Sequence, residues 1–521
     1  MRQPKRKTTT QRFAAVPVAR WFQFLEEQSA QGIALPLTIL FSLFVRWCVG
    51  LYGYSGYNTP PMYGDYEAQR HWMEITNHLP PSKWYFYDLQ YWGLDYPPLT
   101  AFQSWLCGYV ANLIDPSWVA LDTSRGIETH ESKLFMRASV IVLEFVVYIP
   151  AVVMLFRSRQ VAVSWAAKQA AIFSILLQPC LLLIDNGHFQ YNSVMLGFLV
   201  WAVHLAAQRR YLLMAVMFSC SLMFKQMALY FAPPVFFFLL ATCFQRGQQG
   251  VVLFAKLGIT VVATFAALLL PWITSPAQLV QILIRVFPVA RGLYEDKVAN
   301  VWCAVNVAIK LRAIFDPQFL LRLAAAATSL AFAPSCVHLF LAIKRQRNTA
   351  ASTRSGITLL CYSMLNSSLA FFLFSFQVHE KTILLPLMPA LLLICDEPWA
   401  VDWFVQVALF SMYPLLFRDG LQIPYWVMAI GWSLVRGCPG CPADSRIPFA
   451  ALVLQWLSTL VMVTIHAAHA FVPPPASMPD LYVVLNVVFS CTMFVLFLVY
   501  FNYRQLSLFR TAAAPTKQKA E

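Results

Sequence analysis

Four of the twelve residues in "YGDYEAQRHWME" (Tyr63–Glu74) carry a formal charge, and a histidine stands among them. The chain as a whole is only 12% charged and 59% hydrophobic, so the cluster calls for an explanation. Its carboxylates could take protons, pair with Arg70, or cap a helix start. The segment 64–77 lacks proline and stops before Pro80-Pro81, which predicts a helix. On that helix Asp65, Gln69 and Trp72 share one side, and Arg70 and Glu74 are spaced to pair. Next comes "KWYFYDLQYWGLDYPPLTAF", with eight aromatics between Lys83 and Phe102. Aromatics so dense suit the water–bilayer boundary, and they also suit stacking against sugar rings and lipid chains. The plainer expectation is an amphipathic loop helix whose charges are simply solvated.

The elements around this loop are membrane spans. A soluble chain of 521 residues would carry roughly 25% charged residues. Apolar runs of about 18 to 25 residues recur from end to end, and lipid forces such runs to be helical. The predicted fold is therefore an all-α polytopic membrane protein. Spans are expected at 33–50, 134–156, 166–184, 192–207, 211–225, 227–244, 251–272, 318–343, 356–377, 382–395, 399–417, 421–435, 449–471 and 481–502, about fourteen transmembrane helices. Two further apolar pieces, 100–114 and 300–311, are expected to be interfacial or re-entrant. The domain plan is a basic segment over 1–32, a transmembrane domain over 33–502 with a large loop at 51–133, and a tail over 503–521.

Lys and Arg fix the orientation. With the basic N-terminus in the cytosol, Arg157, Arg159, Lys168, Arg209, Arg210, Arg246, Lys344, Arg345, Arg347, Arg354, Arg436 and Arg446 all fall on the cytosolic side. The segments 51–133, 185–191, 273–317 and 378–381 then share the opposite face. The net charge of +14 reflects these orientation clusters and does not indicate nucleic acid. Cys438 and Cys441 form one C-x-x-C, with no second pair or histidine cluster to complete a metal site, so a tight turn is expected. Lys517 and Lys519 stand five and three residues from the end, as in a dilysine retrieval signal.

The polar islands on the face opposite the cytosol are "DNGHFQYN" (Asp185–Asn192), "RVFPVARGLYEDKVANVWC" (Arg285–Cys303) and "FQVHEKTILLPLMP" (Phe376–Pro389). With "GDYEAQRHWMEIT" and "WGLDYPPLTA" they resemble the endoplasmic reticulum dolichyl-phosphate-glucose-dependent glucosyltransferase family, over about residues 30–500. The resemblance implies the type C glycosyltransferase architecture with lumenal loop helices. "GDYEAQRHWMEIT" and "ARGLYEDKVANVWC" are similar to the branch that adds the first glucose to the lipid-linked Man9GlcNAc2 oligosaccharide in an α-1,3 linkage. The sister branch, which adds the second glucose, has Phe after the Asp and lacks the "YEAQRH" run. Asn186 departs from the family, where a histidine or an aromatic is usual.

The resemblance implies dolichyl phosphate glucose as donor, a dolichyl-pyrophosphate-linked oligosaccharide as acceptor, and inversion at the sugar carbon. Such a displacement needs one base and no acid, because phosphate is already a good leaving group; an ordinary glycoside needs two carboxyl groups. Asp65 occupies the position of the family's catalytic carboxylate, and its structural alternative is capping the 64–77 helix. His379, Lys381, Arg291 and Arg285 are the expected partners of the donor phosphate, along with Lys297; snorkelling is the alternative for each. Glu67, Gln69, Trp72, Asp95, His188 and Gln190 are candidate sugar or acceptor contacts. Asp95 has a structural alternative, and His188 could instead be satisfied by Asp185. No cofactor is expected, and no metal, since the chain contains no D-x-D. Membrane lipids are the implied surroundings, and the sequence names no protein partner. A lipid-sugar flippase is the reading from another class; it predicts mid-span charges and paired inverted repeats, whereas here the charges cluster in loops.

Overall fold

The computed structural model describes residues 16–158, 163–287, 297–346, 349–437 and 447–513. Arg291, the Cys438–Cys441 pair, the basic residues before position 16 and the Lys517/Lys519 tail lie outside the described residues. Every regular element among the described residues is helical. Nine helices there are long and apolar enough to cross a membrane, and they fall on nine of the fourteen expected spans.

The other five spans rest on shorter helices. Asn192–Ala207 has 16 residues and Tyr211–Phe224 has 14. A 16-residue helix rises about 24 Å, short of the roughly 30 Å hydrocarbon core. The expected span 382–395 contains Leu384–Leu392, and 421–435 is Gln422–Arg436. The expected 399–417 is two helices, Pro398–Ser411 and Tyr413–Arg418, with Met412 between them. Pro414 accounts for the break, since it lacks an amide proton and crowds the carbonyl four residues back.

The chain divides into two compact units. The first comprises 1–228, 256–292 and 394–467. Its elements used below are α1 (Gln31–Gly50), α2 (Gly64–His78), α3 (Pro98–Ile114), α4 (His130–Arg157), α5 (Trp165–Phe189), α6 (Asn192–Ala207), α7 (Tyr211–Phe224), α8 (Pro276–Val286), α9 (Pro398–Ser411), α10 (Tyr413–Arg418) and α11 (Gln422–Arg436). The second comprises 229–255, 293–393 and 468–521. In it, Gln505 accepts hydrogen bonds from Ser335 (2.6 Å) and Asn366 (2.9 Å), tying together three of the long helices. The expected 300–311 piece is two short helices, Val301–Ala308 and Leu311–Ile314.

The helix predicted at 64–77 is α2, Gly64–His78. The expectation of solvated charges is overturned, because Glu67, Arg70, His71 and Glu74 are all buried. Arg70 binds both oxygens of Glu67 (2.7 and 2.5 Å), lies 2.9 Å from Glu74, and donates to Ser124 Oγ at 2.5 Å. Glu74 accepts from the Asp122 amide (2.6 Å) and from Ser124 Oγ (2.9 Å). His71 stands between Glu74 and Asp88, 3.3 Å from each. Burial alone would raise the Glu74 carboxyl, but the adjacent His71, the Arg70 charge and the Asp122 amide bring it down to about 2. These charges rivet α2 to the loop behind it.

An apolar layer completes the loop. Trp72, Ile75, Trp84, Tyr85, Leu94, Trp272, Ile282 and Val286 form one buried cluster. Helix α3, on the segment expected to be interfacial, turns Trp105, Leu106, Tyr109 and Leu113 outward. Its other side packs on α2 at Gly108, where a Cβ would lie 2.6 Å from the Met73 carbonyl oxygen. Within the spans, Arg46 of α1 pairs with Glu144 of α4 at 2.8 Å and donates to Leu176 O at 2.9 Å. Asn186, the departure from the family pattern, donates to Glu144 at 3.2 Å. Removing one partner of a buried pair like this costs about 3–5 kcal/mol.

Candidate active site

Asp65 sits in the first turn of α2, where a carboxylate is favoured by the helix dipole. It does not cap the helix: the cap position is Tyr63, and no side chain fills that role. Its own side chain turns instead to the end of α5. There the last eight residues, Leu182–Phe189, widen into a π-helical turn, and Phe189 takes a left-handed backbone at φ 86°. Together they aim His188 and Gln190 at α2. His188 Nε2 lies 2.9 Å from Asp65 Oδ2, and Gln190 Nε2 donates to the same oxygen at 2.8 Å.

Two further residues fix these two donors. Lys225, just after α7, donates to Gln190 Oε1 at 2.6 Å and to Asn192 Oδ1 at 2.6 Å. With its carbonyl held by Lys225, the Gln190 amide must present its NH2 to Asp65. Asp419, just after α10, lies with Oδ2 2.5 Å from His188 Nδ1. The result is one continuous polar chain, from Asp419 through His188, Asp65, Gln190, Lys225 and Asn192 to Asp185. The Asp65 side chain keeps 27% of its exposure, while those of His188 and Asp419 keep 2%. Asp65, in the middle of this chain, is thus more open than His188 or Asp419.

Tyr96 borders this site. Its ring lies 4.9 Å from Lys225 Nζ and 4.8 Å from the Trp72 ring. Burial pushes its phenol well above the usual range, and the nearby carboxylates of Asp65 and Asp95 push it further. Asp95 acts here as a neighbour of Tyr96 and also of Tyr85.

Several expectations need correction. His188 is paired with Asp65 and Asp419, not with Asp185, whose oxygens accept from Asn192 Nδ2 (2.8 Å) and the Ser193 amide (2.6 Å). Glu67, Gln69 and Trp72 are buried within the loop packing and do not line an open surface. Glu67 accepts from Tyr91 at 3.0 Å as well as from Arg70, and Trp72 Nε1 donates to Trp92 O at 3.0 Å. Arg285, on α8, donates to the carbonyls of Leu94 (3.0 Å) and Gly93 (2.6 Å), which makes it a brace for the aromatic loop. His379 and Lys381 belong to the second unit, at the turn Glu380–Ile383. Lys297, also in the second unit, reaches Asp480 at 3.2 Å.

Lys225 and Asp419 were missed in the sequence. The signal was available: the expected span order puts both at helix ends on the face of Asp65 and His188. Lys225 is an isolated charge between apolar runs and Asp419 follows Arg418 between two others, and charges so placed are often functional. Among the described residues no group of three His, Cys, Asp or Glu could hold a metal ion.

Fold and site together define a multi-pass, all-α membrane protein with a carboxylate-centred site at its helix ends. The model of the ALG6, ALG8 glycosyltransferase family matches residues 42–500. The dolichyl pyrophosphate Man9GlcNAc2 alpha-1,3-glucosyltransferase of Gallus gallus is 44% identical over 499 residues, covering 90% of this chain and 96% of that one. The Schizosaccharomyces pombe protein named as a probable enzyme of the same kind is 42% identical over 484 residues, 91% of this chain and 92% of its own. The Saccharomyces cerevisiae enzyme of that name is 40% identical over 508 residues, 90% and 91% of the two chains. The chain belongs to the ALG6, ALG8 glycosyltransferase family, as the resemblance of its loop motifs implied.

Proposed function

We infer that this chain transfers glucose to dolichyl-pyrophosphate-linked Man9GlcNAc2, forming an α-1,3 linkage, with dolichyl phosphate glucose as donor. The acceptor and linkage are those in the names of relatives at 40–44% identity over nine-tenths of the chain. The observation that carries the chemistry is the Asp65 carboxylate, held on Oδ2 by the Gln190 amide and the His188 ring and partly exposed. A base held on a rigid helix and oriented by neighbours suits general-base catalysis.

In the proposed step, an acceptor mannose hydroxyl oxygen attacks C1 of the donor glucose. Its proton passes to Asp65. The bond from C1 to the phosphate oxygen breaks, and its electron pair leaves with dolichyl phosphate. One displacement inverts the configuration at C1. In this reading cationic side chains neutralise the leaving phosphate, so that no metal ion is needed. Arg285 commits its Nε and one terminal nitrogen to backbone carbonyls. The site is placed on the lumenal face of the endoplasmic reticulum membrane, with both termini cytosolic.

The test uses purified protein in detergent, dolichyl phosphate glucose, and acceptors carrying zero or one glucose. Transfer to the unglucosylated acceptor alone is expected. Transfer only to the monoglucosylated acceptor would assign the second glucose instead. Activity only in sealed vesicles, with movement and no new covalent bond, would make the chain a transporter.

A further inference from the structure

We propose that Asp419 is a positioning residue for Asp65 and acts through His188. The inference rests on the reading of Asp65 as the base, and it adds a residue from a distant part of the chain. His188 presents one ring nitrogen to each of two carboxylates, Nδ1 to Asp419 at 2.5 Å and Nε2 to Asp65 at 2.9 Å. The ring is buried, so neither nitrogen has bulk water as an alternative partner. An ionised Asp419 accepts a hydrogen bond from Nδ1–H, and with a carboxylate on each side the ring is held as the imidazolium, whose second N–H, on Nε2, faces Asp65 Oδ2. A protonated Asp419 donates to Nδ1, and the ring proton then sits on Nε2. In both cases Asp419 puts an N–H in front of Asp65 Oδ2.

That N–H joins the Gln190 amide on the same oxygen. Two fixed contacts on Oδ2 set the plane in which the carboxylate would meet the acceptor hydroxyl. Without Asp419 the ring could present a bare nitrogen to Asp65, and the carboxylate would lose its orientation. The backbone is shaped to bring Asp419 in. It follows α10, and its carbonyl oxygen packs so closely on Gly53 that a Cβ there would overlap it. Gly53 is held in turn by Arg137, which donates to its carbonyl at 3.0 Å and to that of Gly187 at 2.7 Å. The Ser55 amide donates to His188 O at 3.0 Å. These bonds fix His188 from the segment joining α1 to α2, while Asp419 fixes its ring.

The test is a double-mutant cycle between Asp419→Ala and Asp65→Asn in the full-length protein in detergent, with dolichyl phosphate glucose and Man9GlcNAc2-pyrophosphate-dolichol. Asp419→Ala, which leaves Nδ1 with no side-chain partner at that position, should lower kcat roughly 10²-fold, the scale of a misplaced catalytic group. KM for both substrates should stay within about twofold of wild type, because no substrate contact is removed. In the Asp65→Asn background the same change should add less than about twofold, since there is no base left to position. Asp419→Glu, which keeps the carboxylate, should recover part of the loss. His188→Gln serves as a second entry to the cycle and should show the same dependence on Asp65, so the outcome does not hang on the folding of one variant. Losses that multiply with that of Asp65→Asn, or wild-type turnover in Asp419→Ala, would overturn the proposal. Wild-type turnover in Asp65→Asn would overturn the base assignment itself, a different and separable result.

Discussion

Asp65 and His188 lie 123 residues apart and meet at 2.9 Å, Oδ2 against Nε2. One belongs to a loop helix and the other to the end of a membrane span. The charges of α2 make it possible: Glu67, Arg70 and Glu74 anchor the helix, and Asp65 alone of its acids keeps substantial exposure.

The anchoring predicts a pH dependence of stability. Glu74 titrates near 2 in the folded protein, against about 4.5 when unfolded. Its contribution is therefore fully present above about pH 4.5 and is lost as pH falls towards 2. The linked stability is on the order of 3 kcal/mol. Glu74→Gln should lower the melting temperature at pH 7 and flatten its dependence on pH below 4.5. Thermal melts in detergent across that range check this; an unchanged acid slope would show that Glu74 is not the linked group.

Gly108 predicts a packing effect. A Cβ there would meet the Met73 carbonyl, which is backbone and cannot swing away. Gly108→Ala should part α3 from α2 and cost about 1–3 kcal/mol. Loss of thermal stability is the expected reading, and a melt within a degree of wild type would contradict the close approach.

Phosphate neutralised by side chains predicts indifference to chelators. Glucose transfer should survive excess EDTA. Loss of activity that Mg²⁺ or Mn²⁺ restores would overturn the metal-free assignment.

The orientation can be tested with engineered glycosylation sites. Asp122→Asn completes an Asn-Thr-Ser sequon at an exposed loop position, and Ala350→Thr completes one over 348–350. The first should be glycosylated and the second should not. The reverse pattern would invert the chain in the membrane and place the site in the cytosol.

Much of this architecture is legible in the sequence. The absence of proline over 64–77 and the pair Pro80-Pro81 bound α2 to within a residue. Long apolar runs give the nine long helices. The shorter ones mislead because apolar composition does not register a break such as that at Met412. The burial of the α2 charges was hidden for a different reason. Their partners Asp88, Asp122 and Ser124 lie 17 to 54 residues away, beyond any helical spacing. Asp419 lies 231 residues from His188, and no local pattern relates them.

The proposed role of Asp65, to take the acceptor proton, is read in kcat of Asp65→Asn measured beside Glu67→Gln. Asn keeps the shape and a hydrogen-bond acceptor but cannot take the proton. A fall of about 10²–10⁴-fold in kcat is expected, with donor KM and melting temperature close to wild type. Glu67→Gln removes a buried partner of Arg70 and should lower the melting temperature, while the folded fraction turns over at a near-normal rate. Near-wild-type turnover in Asp65→Asn, with activity abolished in folded Glu67→Gln, would instead move the base to Glu67.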